Sequence, residues 1–201
     1  VIKSPNHALT DGLNGKLAFE NVSFVYEDSG IRALDDVSFS VPAGSSLAIV
    51  GRTASGKTTI AQMIVGRSSN GRHDGKFVLI EGCYPVLATQ FPERSFFELR
   101  VKRELPDEKL RHNVGLTSIY DDYEPLMLNP SQRKLLSIAS AIHYSRKLTI
   151  LDEPTCGMDW ETKKVFVSLL NNYLDRAFLI ITHDKDLLGL GAETQTTGGT
   201  Q

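Results

Sequence analysis

The chain has 201 residues, of which 41% are hydrophobic and 23% are charged, and it contains two cysteines. These proportions exclude a wholly disordered chain, a collagen-like repeat and a disulfide scaffold. The formal charge of −2 comes from 22 basic and 24 acidic residues. Because binding to nucleic acid usually needs a basic face, we expect no nucleic-acid partner. No apolar run approaches the roughly 20 residues of a membrane-spanning helix.

The first half of the chain is predicted to form four strands and one helix. Residues 1–16 are polar and are expected to be a tail or linker. Alternating or continuous apolar residues predict strands, and a helical pattern follows the third of them. The predicted strands are 17–26, 33–41, 47–50 and 77–80, and the predicted helix runs from Lys57 to about Gly66. Residues 68–75 are predicted to form a loop.

The second half alternates helices with buried strands. Residues 91–127 are charged, contain three prolines and have only short helical stretches. The predicted elements that follow are a helix over 131–144, a strand over 148–151, a helix over 160–174 and a strand over 177–182. Residues 191–201 are rich in glycine and threonine and are expected to be a flexible tail. Short apolar strands alternating with helices favour an α/β fold with a largely parallel sheet.

A glycine-containing segment lies between the predicted strand at 47–50 and the predicted helix. It fits the phosphate-binding pattern G-x-x-x-x-G-K-[ST] and consists of Gly51, Arg52, Thr53, Ala54, Ser55, Gly56, Lys57 and Thr58, with Thr59 next. Glycines let successive backbone N–H groups point at phosphate oxygens, and the helix N-terminus adds its positive dipole end. Lys57 would neutralise the β- and γ-phosphates of a nucleotide, and Thr58 would hold Mg²⁺.

Two carboxylates, Asp152 and Glu153, follow the apolar strand at 148–151. A buried strand that ends in Asp places that residue at the carboxyl edge of the sheet, so Asp152 is predicted to reach the Mg²⁺. Glu153 can polarise an attacking water as a general base. If these two residues are considered alone, the alternative is that both are exposed and cap the next turn. The phosphate-binding loop upstream favours the catalytic interpretation.

Taken in order, these motifs resemble those of ATP-binding cassette (ABC) ATPases over about residues 17–190. Tyr26 lies where that family has an aromatic residue that stacks on adenine, and Gln90 resembles its Q-loop glutamine, which touches the metal or the attacking water. Asp159 resembles the D-loop aspartate, which acts across a subunit boundary. His183 resembles the switch histidine, which donates a hydrogen bond to the γ-phosphate or the water.

The resemblance implies a P-loop NTPase fold of the ABC type. Its expected parts are a mostly parallel core sheet with helices on both sides, an N-terminal antiparallel β subdomain and a shortened helical subdomain at about 91–144. It also implies ATP and Mg²⁺ as ligands. The implied activity is ATP hydrolysis coupled to transport. The implied catalytic residues are Lys57, Gln90, Glu153 and His183, and the implied metal ligands are Thr58, Gln90 and Asp152.

Within this family, residues 90–98 are similar to the Q-loop of energy-coupling-factor ATPases, which commonly reads Q-[FY]-P-E-x-Q-L-F-E. Here Ser95 stands in place of the second glutamine. The local match leaves two interpretations open, an energy-coupling-factor ATPase and the ATPase of another importer type.

The sequence departs from the family at the signature L-S-G-G-Q, where it has Leu128, Asn129, Pro130, Ser131 and Gln132. An Asn N-cap, a Pro at the first helical position and a Gln three residues after the cap predict an intact helix start. In the family this segment closes over the γ-phosphate held by a partner subunit. Here Pro130 has no N–H, and Ser131 adds a Cβ where glycine allows close approach.

The altered signature bears on the partners. A heterodimer with one competent and one impaired site is expected, and a working homodimer is the alternative. A transmembrane transporter subunit is the second expected partner, which would place the chain in the cytoplasm, on the inner face of the membrane. Two other functions stay open: a nucleotide-gated regulatory subunit with little hydrolysis, and a non-transport ABC ATPase. Low activity is expected of the isolated chain.

Overall fold

The computed structural model describes residues 17–42, 44–51, 54–68, 70–79, 82–173, 175–183 and 193–196. The strands are β1 (Leu17–Tyr26), β2 (Arg32–Val41), β3 (Ser46–Val50), β4 (Gly71–Leu79), β5 (Val86–Ala88), β6 (Leu148–Asp152), β7 (Ala177–Thr182) and β8 (Glu193–Thr196). The α-helices are α1 (Lys57–Ile64), α2 (Val101–Glu104), α3 (Glu108–Asn113), α4 (Pro130–Tyr144) and α5 (Trp160–Asn171). The predicted tail over residues 1–16 lies outside the described residues.

Strands β1, β2 and β4 form an antiparallel sheet in the order β2-β1-β4. The buried residues of β1 alternate up to Phe19 and resume at Val22, because the register shifts between these two positions. Asn21 lies in the shift with a φ of 52°, which is typical of a bulge. On the neighbouring strand, a Cβ at Gly75 would come within 2.3 Å of the Asn21 carbonyl oxygen, so only glycine fits there.

The prediction of a loop over residues 68–75 is wrong for its second half, because β4 begins at Gly71. Residues 72–76 are all exposed and mostly charged or polar, so they lack the apolar alternation by which a strand is predicted. They pair through their backbone with β1 at the edge of the sheet. Backbone pairing at an edge does not require apolar side chains, and charged residues are common on such strands.

The second sheet has five strands, all parallel, in the order β5-β6-β7-β3-β8. Side chains of β3 alternate between two cores. Leu47 and Ile49 belong to a core with α1 and the antiparallel sheet, whereas Ala48 and Val50 belong to a core with α4 and α5. Helices therefore cover both faces. This confirms the predicted fold class, including the antiparallel β subdomain.

The C-terminal region differs from the prediction. Residues 191–201 were expected to be flexible, but Glu193–Thr196 form β8, which pairs in parallel with β3. The open edge of β3 supplies backbone partners to any extended segment. A polar, glycine- and threonine-rich stretch therefore gives little sequence signal for this pairing.

The segment between β5 and β6 contains two short helices, α2 and α3, and then the 15-residue helix α4. One 3₁₀ turn, at Pro92–Arg94, precedes α2, and two more, at Ser118–Tyr120 and Pro125–Met127, lie between α3 and α4. The predicted helices agree with α1, α4 and α5 to within a few residues at their ends, and Leu174 lies outside the described residues.

Candidate functional site

The phosphate-binding loop joins β3 to α1. Gly56, just before the helix, has a φ of 91°, and a Cβ there would lie 2.3 Å from the carbonyl oxygen of Ala33. Glycine is needed both for this conformation and for the close approach. Ala54 also has a positive φ, of 62°. Arg52 and Thr53 lie outside the described residues.

Lys57 is the first residue of α1, and only 6% of its surface is exposed. Its ammonium donates to the carbonyl oxygen of Gly51 at 2.7 Å and to the Ser55 hydroxyl at 3.4 Å. Burial lowers the pKa of Lys57, and the carboxylates of Glu153 and Asp152 oppose that shift. The ammonium is thus held inside the loop, where a phosphate oxygen could replace the carbonyl as its partner.

Asp152 ends β6 and lies opposite Thr58, whose hydroxyl donates to its Oδ2 at 3.4 Å. The carboxyl is buried, and burial raises its pKa, helped by the charge of Glu153. The Thr58 hydrogen bond and the charges of Lys57 and Lys134 oppose the increase. A desolvated carboxylate facing a hydroxyl is an arrangement that a cation would stabilise.

This pair fits Mg²⁺ better than a transition metal. Both side chains offer hard oxygen ligands, and no group of three His, Cys, Asp or Glu residues suited to a metal occurs in the described part of the chain. Magnesium is commonly bound by one or two protein oxygens, with substrate phosphates and water completing the octahedron. Thr58 and Asp152 are suited to that incomplete protein shell.

Glu153 and His183 contact each other directly. His183 Nδ1 lies 2.9 Å from Glu153 Oε2, and the same oxygen accepts hydrogen bonds from the His183 N–H and the Thr182 hydroxyl, both at 3.3 Å. The Glu153 backbone has a φ of 49° and donates to the carbonyl oxygen of Ile181 at 2.7 Å. His183 remains 62% exposed, whereas Glu153 is 12% exposed.

These residues line one cleft of about 340 Å³. Tyr26 and Gln90 line it too, together with Ala54, Ser55, Gly56, Lys57, Thr58, Thr59, Asp152, Glu153 and His183. The Tyr26 hydroxyl is hydrogen-bonded to the Thr59 hydroxyl at 2.9 Å, and its ring meets Phe24 edge-on at 5.0 Å. The cleft is polar at the phosphate-binding loop and aromatic at Tyr26.

The segment from Leu128 to Gln132 starts α4, as the sequence predicts. Asn129 is the N-cap, and its side chain accepts from the Gln132 N–H at 2.9 Å. The Gln132 side chain accepts from the Asn129 N–H at 3.2 Å, which completes a capping box, with Pro130 as the first helical residue. Leu128 is buried. The described lining of the cleft does not include this segment.

Asp159 is likewise an N-cap. Its carboxylate accepts from the Thr162 N–H at 2.7 Å at the start of α5, and this hydrogen bonding lowers the pKa of Asp159. Like the segment at the start of α4, it is not part of the described lining of the cleft.

Lys134 was not predicted from the sequence. It lies on α4, is 5% exposed and donates to the carbonyl oxygen of Gln90 at 2.5 Å. Burial lowers the pKa of Lys134, and nearby acidic groups, including Asp152, oppose the shift. The contact spans 44 residues of sequence, so no local pattern could have indicated it.

Comparison with known proteins identifies the family. The sequence profile described as ABC transporter matches residues 34–156, more than half of the chain. The chain belongs to the ABC transporter family. It is an ATPase of that family, and it uses ATP to power membrane transport.

Named relatives of this ABC ATPase include energy-coupling factor transporter ATP-binding proteins. EcfA3 of Oenococcus oeni is 30% identical over 85% of this chain and 71% of its own length. EcfA1 of Staphylococcus aureus is 28% identical over 85% of this chain and 74% of its own length. Such relatives imply a transmembrane partner subunit.

Solved structures show the same fold. CbiO1 from Clostridium perfringens, part of the ABC transporter complex cbiONQ, has a TM-score of 0.71 at 23% identity and covers 91% of this chain and 84% of its own. The ATP-binding cassette of an ABC transporter in its ADP conformation has a TM-score of 0.72 at 22% identity, covering 91% and 87%. No helix among the described residues is long and apolar enough to cross a membrane.

Proposed function

We propose that this ABC ATPase is the Mg²⁺-ATP-hydrolysing subunit of an energy-coupling-factor-type transporter. The observation that carries the proposal is the convergence of Lys57, Thr58, Asp152, Glu153 and His183 on one cleft. The similarity to EcfA proteins and the Q-loop sequence at 90–98 support the transporter type.

Binding of the nucleotide uses both ends of the cleft. The triphosphate lies on the phosphate-binding loop, where Lys57 exchanges its backbone partner, Gly51, for phosphate oxygens. The adenine stacks on Tyr26, whose hydroxyl is already hydrogen-bonded to Thr59 at the start of α1. Thr58 and Asp152 would hold Mg²⁺, which neutralises phosphate charge when bound.

Hydrolysis requires Glu153 to leave its resting partners. In the structure, Glu153 Oε2 is satisfied by His183 and Thr182, so its capacity to accept a proton from water is partly occupied. His183 is the more exposed of the two and can turn toward a γ-phosphate. Glu153 then orients the attacking water, while Lys57 and His183 stabilise the charge that develops in the transition state.

The capping box at Asn129 supports a heterodimer. The Asn129 side-chain oxygen occupies the Gln132 N–H at the start of α4, and Pro130 supplies no N–H. The site that this segment would complete for a partner ATPase therefore has fewer preorganised donors, each typically worth about 10²–10³ in rate. A partner with an intact signature would leave one fully equipped site, formed around this chain's own cleft.

We propose that the membrane subunit binds in a groove beside the Q-loop of this chain. This chain would then lie on the cytoplasmic face of the membrane. The groove has a volume of about 440 Å³ and is lined by residues of β5, α4 and the segment after Gln90. Phe97 is 87% exposed at its edge, and Leu99 nearby is 75% exposed. Exposed apolar groups beside a groove are typical of a protein-binding surface.

The test is hydrolysis by the complex that co-purifies with the full chain. Glu153→Gln keeps the size of the side chain but removes the base, so we expect ATP turnover to fall by about 10²–10⁴ with ATP still bound. Glu161→Gln, an exposed change on α5, is the matched control and should leave turnover unchanged. Unchanged hydrolysis in Glu153→Gln would instead favour a nucleotide-gated regulatory subunit, which the self-capped α4 also suits.

A further inference from the structure

Lys134 joins two parts of the molecule that are distant in sequence. Its ammonium donates to the Gln90 carbonyl oxygen at 2.5 Å, and 5% of the residue is exposed. Within the described residues this is the one hydrogen bond that the ammonium makes. The Gln90 backbone is thus held from α4, while its exposed side chain lines the nucleotide cleft.

The other end of this connection is the start of α4. Lys134 lies four residues after Pro130, which is about one helical turn, so it moves with the capping box at Asn129 and Gln132. α4 also packs against β5 and the turn at Pro92–Arg94, on either side of Gln90. The Lys134 hydrogen bond adds a direct connection from the start of this helix to the Gln90 carbonyl. The cleft and the self-capped helix end are otherwise built from separate residues.

A purely structural role explains Lys134 poorly. Burying an ammonium costs free energy, and one neutral carbonyl partner compensates only part of that cost. The neighbours Leu135 and Leu136 are apolar and buried in the core, so an apolar side chain would suit this region of α4. Its charge also attracts the Asp152 and Glu153 carboxylates, which belong to the nucleotide cleft.

We propose that Lys134 is a positioning residue that couples the start of α4 to Gln90, so that closure of a partner subunit on α4 resets Gln90 in this chain's own nucleotide site. The inference rests on the proposed function, since it assigns Gln90 to the Mg²⁺-ATP site. Lys134 acts through the Gln90 backbone and does not touch substrate. It gives the impaired signature segment a use that requires no phosphate contact.

The experiment compares Lys134→Met with Lys134→Arg in the full chain, with Arg133→Met as the neighbouring control. ATP affinity without metal, and the Mg²⁺ concentration that gives half of the metal-dependent change in ATP affinity, are measured by calorimetric titration. Hydrogen exchange is followed in peptides covering 86–98 and 128–136, with and without Mg²⁺-ATP. Circular dichroism confirms that each variant is folded.

In Lys134→Met we expect the Mg²⁺ requirement to rise about tenfold, the size of effect seen when a group that orients a metal ligand is lost. ATP affinity without metal should stay within about twofold. Mg²⁺-ATP should still protect 86–98 but no longer change exchange in 128–136. Lys134→Arg should restore both properties, because it keeps a charged donor, and Arg133→Met should match the unmodified chain.

An unchanged Mg²⁺ requirement and an unchanged response of 128–136 in Lys134→Met would overturn the inference while leaving the proposed function intact. If Lys134→Met fails to fold, Lys134→Gln becomes the deciding variant, because it stays polar but loses the charge. A folded Lys134→Gln with a normal Mg²⁺ requirement and a normal response of 128–136 would overturn the inference. If the unmodified chain does not bind Mg²⁺-ATP at all, the proposed function fails, and this inference fails with it.

Discussion

At the scale of single residues, the cleft is held in a resting arrangement by hydrogen bonds among its own side chains. Lys57 is held by Gly51, Glu153 by His183, and Tyr26 by Thr59. Each partner is weak enough to be exchanged, since a hydrogen bond contributes a net of about 0.5–1.5 kcal/mol, or about 1.5–3 when a charge is involved. Nucleotide binding can therefore replace these partners without unfolding the site.

Two substitutions at Tyr26 separate the contribution of its ring to ATP affinity from that of its hydroxyl. Tyr26→Phe keeps the ring and loses only the hydrogen bond to Thr59, so the Kd for ATP should rise by no more than about tenfold. Tyr26→Ala also loses stacking, worth about 1–3 kcal/mol, and the Kd should rise by about 5- to 150-fold. Titration with ATP measures both. Equal affinities for the Phe and Ala variants would contradict stacking on this ring.

At the scale of elements, α4 connects the capped segment at its N-terminus with the groove assigned to the membrane subunit. Its N-terminus is closed by a capping box, its middle packs in the core beneath β5 and β6, and Ser137, Ser140 and Ala141 line the groove assigned to the membrane subunit. A 15-residue helix is stiff enough to move as one body. Partner, core and nucleotide cleft thus share one rigid element.

The capping box should contribute measurably to stability. Asn129→Ala removes the acceptor for the Gln132 N–H, and we expect the free energy of unfolding to fall by about 0.5–2 kcal/mol. Chemical denaturation measures the change. Ser131→Ala, in the same helical turn, removes a hydroxyl that makes no hydrogen bond within the described structure, and it should change stability by less than about 0.5 kcal/mol. Equal decreases in the free energy of unfolding in both variants would contradict a stabilising role of the capping box.

At the scale of the whole molecule, the order of strands assembles the site. Gly51 follows β3, Asp152 ends β6 and His183 follows β7, and these strands lie side by side in the order β6-β7-β3. Since all three are parallel, their carboxyl ends meet at one edge of the sheet. The same edge brings the buried carboxylate of Asp152 close to the negative charge of Glu153.

The stability of the whole chain should therefore depend on pH through Asp152. Burial and the charge of Glu153 raise the pKa of Asp152, so the folded state binds this proton more tightly than the unfolded state does. The resulting contribution of Asp152 to the free energy of unfolding is fully present below the ordinary pKa of Asp, and it is lost as the pH rises through the raised pKa. Without Mg²⁺, Asp152→Asn should thus be at least as stable as the unmodified chain at pH 8.

Denaturation at several pH values without divalent cation checks this, and the advantage of Asp152→Asn should shrink toward pH 4. Added Mg²⁺-ATP should stabilise the unmodified chain more than Asp152→Asn, because the variant lacks the anionic metal ligand. A variant that is less stable than the unmodified chain at pH 8 would show that the ionised carboxylate stabilises the fold.

Local signals in the sequence were sufficient for the phosphate-binding loop, the buried strands and the start of α4. Each depends on neighbours within a few residues: glycine at a positive φ, continuous apolar runs, and an N-cap with its partner three positions later. The family itself followed from the order of such motifs. Their physical effects act over one turn or one strand, so one sequence is enough to predict them.

Only the tertiary structure decided which distant segments meet. It placed β7 between β3 and β6, paired the exposed residues after Gly71 with β1, and added Glu193–Thr196 to the edge of β3. It also brought Lys134 to the carbonyl of Gln90, 44 residues away. Backbone pairing and burial between remote segments depend on the complete packing of the chain, because an edge strand or a buried ammonium carries no periodic pattern of its own.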